Sequence, residues 1–421
     1  MRARIDLHSH PLNFGVLVKQ SLVFIALLAI VGCIPAPRMT DEQLHARAYD
    51  LAQKFIIVDT HLDVPERLAE KWENITDSTG GDFDVPRARR GGLNAPFMAI
   101  YTSADEEVKG LSQQKADTEI AIVESFLKRR PEIFAPAFSP ADILKNTSAG
   151  KISLPMGMEN GGPLEGKLEN VAYYYKRGIR YLILTHARDN HLSDSSFDTT
   201  RTWNGLSPLG IQVIAEMNRL GMMVDVSHLS DSAFYQVMRC SKAPAIASHS
   251  SCRFYTPGYE RNMSDEMIKE LANHGGVIQI NFGSEFLRGD ILQKEIARKK
   301  DVRELLKAKN IKREDSLGRA FVNQYYKDHP LPFADVKDAA VHIDHVAKLT
   351  GVDHVGIGSD FEGLGDDLPT GLKDVSQYPN LIYELLKMGY SDEDIEKICG
   401  KNLLRVWTQV EETAKKIQAG N

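Results

Sequence analysis

The chain has 421 residues, 43% of them hydrophobic, which is enough apolar material for one large barrel or two ordinary domains. Its 51 basic and 57 acidic residues are interspersed and leave a mild formal charge of -6. No basic patch stands out, so nucleic acid is excluded as the expected partner.

In chain order, Lys19 precedes the apolar stretch SLVFIALLAIVGC, residues 21 to 33. Its apolar core is too short to span a bilayer comfortably and reads as a signal peptide rather than a permanent transmembrane helix. The segment Ile30-Val31-Gly32-Cys33 resembles a bacterial lipobox, in which small residues precede a cysteine that is lipidated and becomes the mature N-terminus. The alternative is an ordinary secretory signal with a chance cysteine. On the lipobox reading, residues 1 to 33 are the signal, Cys33 carries the lipid, and 34 to 421 form a single domain held at the cell envelope. Ile34 offers no charged retention signal, which favours the outer membrane in a double-membraned bacterium. Residues 1 to 18 lie upstream of a normal n-region and read as a misassigned start. His8 and His10, in DLHSH, are therefore set aside as metal candidates.

Cys240, Cys252 and Cys399 remain in the mature chain, too few and too odd for a disulfide framework. Three buried thiols are expected, with a Cys240–Cys252 pairing left open.

Eight apolar, strand-like runs follow: FIIVD (55 to 59), APFMAIY (95 to 101), ISLPMGME (152 to 159), RYLILTH (180 to 186), MMVDVSH (222 to 228), PAIASHS (244 to 250), GVIQINF (276 to 282) and HVGIGSD (354 to 360). Helical patterns lie between them, at 207 to 221, 264 to 276 and 335 to 351, with Ser264 and Asp335 as N-caps of the last two. Near-continuously apolar strands alternating with helices predict a (β/α)8 TIM barrel. The charged segment from about 287 to 334 breaks the rhythm after the seventh strand and is expected to be a helical insertion on the rim with a solvated face.

Six runs end in ionisable residues: His61 and Asp63 after the first, then Glu159, His186, His228, His249 and Asp360. A lone histidine at a strand end is ordinarily a framework residue, and Asp360 in GIGSDFEG alone would be a turn or cap. In a parallel barrel, however, the C-terminal strand ends converge on one mouth. Burying four histidines and three carboxylates there costs roughly several kcal/mol per unpaired charge, and a metal is the simplest compensation. His61 and Asp63, two apart, face one side and can grip one ion; His228 and His249 can grip a second. Glu159 lies between the pairs as the natural bridge. Imidazole and carboxylate without thiolate suit Zn²⁺, with Mn²⁺ or Co²⁺ as substitutes.

The motifs HLD (61 to 63), GMENGG (157 to 162), LTH (184 to 186), DVSH (225 to 228), SHSS (248 to 251), RN (261 to 262), GIGSDFEG (356 to 363) and GKNLLRV (400 to 406) together resemble the membrane dipeptidase (renal dipeptidase) family of zinc peptidases. The resemblance covers about residues 45 to 410. It implies dipeptide hydrolysis by two zinc ions and a bridging hydroxide, with His61, Asp63 and Glu159 on one ion and Glu159, His228 and His249 on the other. It further implies that His186 binds the substrate carbonyl and oxyanion, Arg261 the substrate near its carboxylate end, and that Asp360 is the acid/base. The family's common homodimer is carried over as an expectation. Two features depart from the pattern: NFGSEF offers Phe286 where some members place a tyrosine, and the insertion is longer than in the animal enzymes. A related barrel hydrolase of lactones or N-acyl amino acids, and a lipid-anchored binding protein, are the competing readings.

Overall fold

The computed structural model describes residues 39–313 and 315–420. Cys33, His8, His10 and the predicted signal segment lie outside the described residues. The chain divides into two compact units, Met1–Gln43 and Leu44–Asn421. Of the first, only residues 39–43 are described, including the start of the helix Asp41–Lys54.

The second unit holds eight strands in one closed barrel: β1 (Ile57–Leu62), β2 (Leu93–Tyr101), β3 (Met156–Glu159), β4 (Ile179–Ile183), β5 (Met223–Asp225), β6 (Ile246–Ser250), β7 (Val277–Ile280) and β8 (Val355–Ile357). Neighbours pair in parallel, and β1 closes the ring by pairing with both β2 and β8. This is the predicted (β/α)8 architecture. The strands are buried nearly throughout, as expected where helices cover the outside and side chains fill the inside.

The intervening helices start where hydroxyl or carboxylate caps allow. Ser264 accepts from Met267 N ahead of Asp265–Asn273, and Asp335 accepts from Lys337 N ahead of Val336–Thr350. In the C-terminal helix Asn402–Gln418, Asn402 donates to the carbonyls of Val352 and Val355 at the start of β8, while Trp407 packs 5.5 Å from the Phe97 ring of β2.

Three details differ from the sequence expectation. The run 152 to 159 is not one strand: Ile152–Ser153 pairs with Phe134–Ala135 in a separate two-stranded sheet, and only Met156–Glu159 enters the barrel. Pro155 between them lacks the N–H a continuous ladder needs. The insertion forms two helices, Gly289–Ala308 and Ser316–Asp328, that bury Val302, Leu306 and Val322 as a small core of their own. Finally, Cys240, Cys252 and Cys399 are all free, but Cys240 is only half-buried.

Candidate metal centre

Glu159, the last residue of β3, is the hub of the mouth. Its Oε2 lies 3.1 Å from His61 Nε2, whereas its Oε1 lies 3.1 Å from His228 Nε2 and 3.4 Å from His249 Nε2. Asp63 Oδ1 approaches the same His61 nitrogen to 3.6 Å, and the two Nε2 atoms of His228 and His249 are 2.8 Å apart. His186 Nε2 is 3.5 Å from Glu159 Oε1 and Asp360 Oδ1 is 4.0 Å from His61 Nε2. All seven rim residues inferred from sequence therefore meet. Three overlapping groups are spaced to hold a cation: His61, Glu159 and His249; Glu159, His186 and His228; His61, Asp63 and Asp360.

Not all of them sit on strands. Asp63 is the N-cap position of the helix Val64–Glu70, and His186, His228 and Asp360 lie three residues past the last strand residue of β4, β5 and β8. His228 and Asp360 adopt left-handed backbone, at φ 67° and 65°. Such conformations cost a side-chain-bearing residue about 1 kcal/mol and are kept where the surroundings fix them.

What fixes them is a pair of buried carboxylates. Asp59 Oδ1 accepts from the backbone N–H of His61 and of Ser359, and Tyr378 donates its hydroxyl to Oδ2. Asp360 N in turn donates to the His61 carbonyl, so the ends of β1 and β8 are stapled together. Asp225 repeats the device: its Oδ1 accepts from Ser227 N and Ser248 N, while His249 N donates to Ser227 Oγ. One staple sets His61 and Asp360; the other sets His228 and His249. Burial pushes both Asp59 and Asp225 above the usual carboxylate range.

Hydrogen bonding fixes how the imidazoles present themselves. Tyr181 donates its hydroxyl to the Thr60 carbonyl at 2.9 Å, so it must accept from His61 Nδ1–H at 3.0 Å. Nε2 of His61 then faces the oxygens of Glu159 and Asp63. Burial works against a charge on the ring, yet Tyr181, Glu159 and Asp63 hold its pKa well above the ordinary histidine value, so this nitrogen meets those oxygens through a proton or, in its place, a cation. The residues present thus fit a zinc-class ion through nitrogen and carboxylate donors, with an orienting partner behind the ring. Gly157 makes room for this partner, since a Cβ there would lie 1.9 Å from the Tyr181 ring.

Electrostatics agree with that donor set. Burial, then the Arg261 guanidinium, holds His228 well below the usual histidine range; burial, then His61 and Arg261, does the same to His249. Both are neutral and able to donate lone pairs. Burial works against the charge of Glu159, yet the neighbouring His61 first of all holds it well below the usual carboxylate range. Asp360 goes the other way, pushed well up by burial and then by Asp63, while its Oδ2 accepts from Asn281 Nδ2 at 2.8 Å.

Arg261 is buried beside this cluster. Its Nη1 donates to Ser250 Oγ and its Nη2 to the His249 carbonyl, and no carboxylate lies within salt-bridge range among the described residues. Phe286 lies under the guanidinium, 5.3 Å away, and has no hydroxyl to offer. Sequence reasoning missed Asp59, Asp225, Tyr181 and Asn281. The first two carry a readable signal, an aspartate two or three residues before a rim histidine, in DTH and DVSH. Tyr181 reaches His61 from across the barrel and has none.

The model of the membrane dipeptidase family, peptidase family M19, matches residues 45–421. The chain belongs to the membrane dipeptidase family. Within it, the chain is 32% identical over 348 residues to dipeptidase aclJ of Aspergillus oryzae, covering 81% of this chain and 73% of that protein. It is 31% identical over 396 residues to an uncharacterized dipeptidase of Schizosaccharomyces pombe, covering 89% and 85%. The crystal structure of the probable dipeptidase PvdM from Pseudomonas aeruginosa superposes with a TM-score of 0.76 at 28% identity, over 88% of this chain and 99% of that one. The fold and a His/Glu centre able to hold metal are thus those of a metallo-dipeptidase family.

Proposed function

We propose that the chain is a binuclear zinc dipeptidase. The observation that carries this reading is the division of Glu159, one oxygen toward His61 and the other toward His228 and His249. A carboxylate divided in that way could serve two ions, of which His61 and Asp63 would help hold the first and His228 and His249 the second. Zn²⁺ suits the donors best, and Mn²⁺ or Co²⁺ can substitute.

The chemistry such ions would supply when bound is a nucleophilic water at neutral pH and polarisation of the scissile carbonyl. Asp360, held protonatable by burial and aimed by Asn281, accepts the proton of the attacking water and delivers it to the leaving amine. His186, kept neutral mainly by burial, donates a ring N–H to the developing oxyanion. Arg261 is a buried cation without an anionic partner, suited to the free carboxylate of a dipeptide. That requirement favours dipeptides over longer chains and over lactones.

The test is hydrolysis of a dipeptide panel with and without chelator. Dipeptide cleavage abolished by chelation and restored by Zn²⁺ is expected. Cleavage of N-acyl amino acids or lactones alone would favour the related-hydrolase reading, and no hydrolysis would favour a binding protein. The pattern at 19 to 33 supports an accompanying proposal, that the enzyme is exported and anchored through lipid on Cys33.

A further inference from the structure

Resting on the dipeptidase reading, we propose that Phe197 and Tyr259 form a wall that selects dipeptides with a large apolar, above all aromatic, C-terminal residue. The Phe197 ring is 45% exposed yet lies 5.8 Å from the ring of His228, so it borders the open mouth directly beside the centre. From there an aromatic row runs toward the arginine: Phe197 to Tyr259 at 6.2 Å, Tyr259 to Phe286 at 5.7 Å, and Phe286 under the Arg261 guanidinium. A substrate whose carboxylate sits on Arg261 and whose scissile bond sits over Glu159 projects its C-terminal side chain alongside that row.

The wall is apolar because its polar atoms are engaged elsewhere. Burial, and then the nearby Glu285 carboxylate, push the Tyr259 hydroxyl's pKa up and keep it uncharged, so the wall presents no charge from this residue. Of the neighbouring charges, Arg201 and Glu260 pair with each other, Glu260 also accepts from Asp231 N, and Asp198 next to Phe197 accepts from Asp189 N and Thr200 N. The wall is also held in place. Ser195 Oγ donates to the His186 carbonyl, Ser196 N to the His228 carbonyl and Phe197 N to Ser195 Oγ, so the loop carrying Phe197 is tied to both histidines. An exposed ring on a fixed loop is prepared for offset or edge contact with another ring, without an ordering cost at binding.

The experiment compares kcat/KM for alanyl-phenylalanine, alanyl-glycine and alanyl-aspartate, with the C-terminal residue in both hands, in the zinc-loaded enzyme and in Phe197→Ala and Phe197→Leu. The wild type should prefer phenylalanine over glycine by about tenfold and reject aspartate. In Phe197→Ala the phenylalanine-to-glycine ratio should fall by about tenfold through KM, and Phe197→Leu should recover part of it. Metal content, measured alongside, should stay at the wild-type level. A ratio that does not change in Phe197→Ala, or a wild type that prefers aspartate, overturns the proposal while leaving the dipeptidase reading intact. Failure of the wild type to cleave any dipeptide overturns both.

Discussion

Tyr181 does for His61 what no neighbour in sequence can do: it accepts the Nδ1 proton and so leaves the other nitrogen, facing Glu159 and Asp63, as the one that would take a cation. Tyr181→Phe should therefore weaken metal binding about ten- to a hundredfold while the barrel stays folded, measured by competition with a chelating dye. Undiminished affinity would remove Tyr181 from the site. Asp63 and Asp360 form a contrasting pair, since both lie near His61 but only Asp63 is assigned to a metal. Asp360→Asn should keep both ions and lose at least about a hundredfold in turnover, the scale of a lost acid/base group. Asp63→Asn should lose metal and activity together. Elemental analysis of the two variants separates these outcomes, and metal lost from Asp360→Asn would make Asp360 a ligand.

At the scale of elements, the strands and helices were legible because each obeys a local rule: continuous apolar runs for doubly covered strands, and Ser or Asp caps for helices. The rim residues were legible because a barrel gathers strand ends. What was not legible is how His228 and Asp360 are held. Both sit beyond their strands in left-handed backbone; Asp225 is close to His228 in sequence, but the partners through which the two carboxylates act, Ser248 for Asp225 and Ser359 for Asp59, lie on other strands far along the chain. The break at Leu154-Pro155 was hidden by the apolar character of the whole run. A similar long-range tie joins the helix Val336–Thr350 to the loop after β6. His342 there accepts from Cys252 N through Nδ1 and donates to the Leu287 carbonyl through Nε2. Burial lowers its pKa from the ordinary 6.5 to about 4. The unfolded chain binds this proton below about pH 6.5 and the folded one does not, so stability falls as pH drops from about 6.5 to about 4, by up to about 3 kcal/mol. Urea denaturation across that range should show a shallower pH slope for His342→Asn than for wild type; identical slopes would contradict the assignment.

At the scale of the whole molecule, the apolar N-terminal stretch and the barrel answer separate questions, where the protein resides and what it does. If Cys33 carries lipid, the full-length protein partitions with membranes, and Cys33→Ala should release it or leave it unprocessed in fractionated cells. A mature N-terminus found elsewhere by mass spectrometry would end that proposal. Among the described residues no helix is long and apolar enough to cross a membrane. The central claim concerns the barrel mouth alone, that two ions bridged by Glu159 cleave a dipeptide. It is tested most directly by stripping the enzyme of metal and titrating Zn²⁺ back while following dipeptide hydrolysis. The account predicts that activity rises to a plateau at two equivalents per chain, and that Glu159→Gln weakens both binding steps together. A plateau at one equivalent, or full activity in the stripped protein, would contradict it.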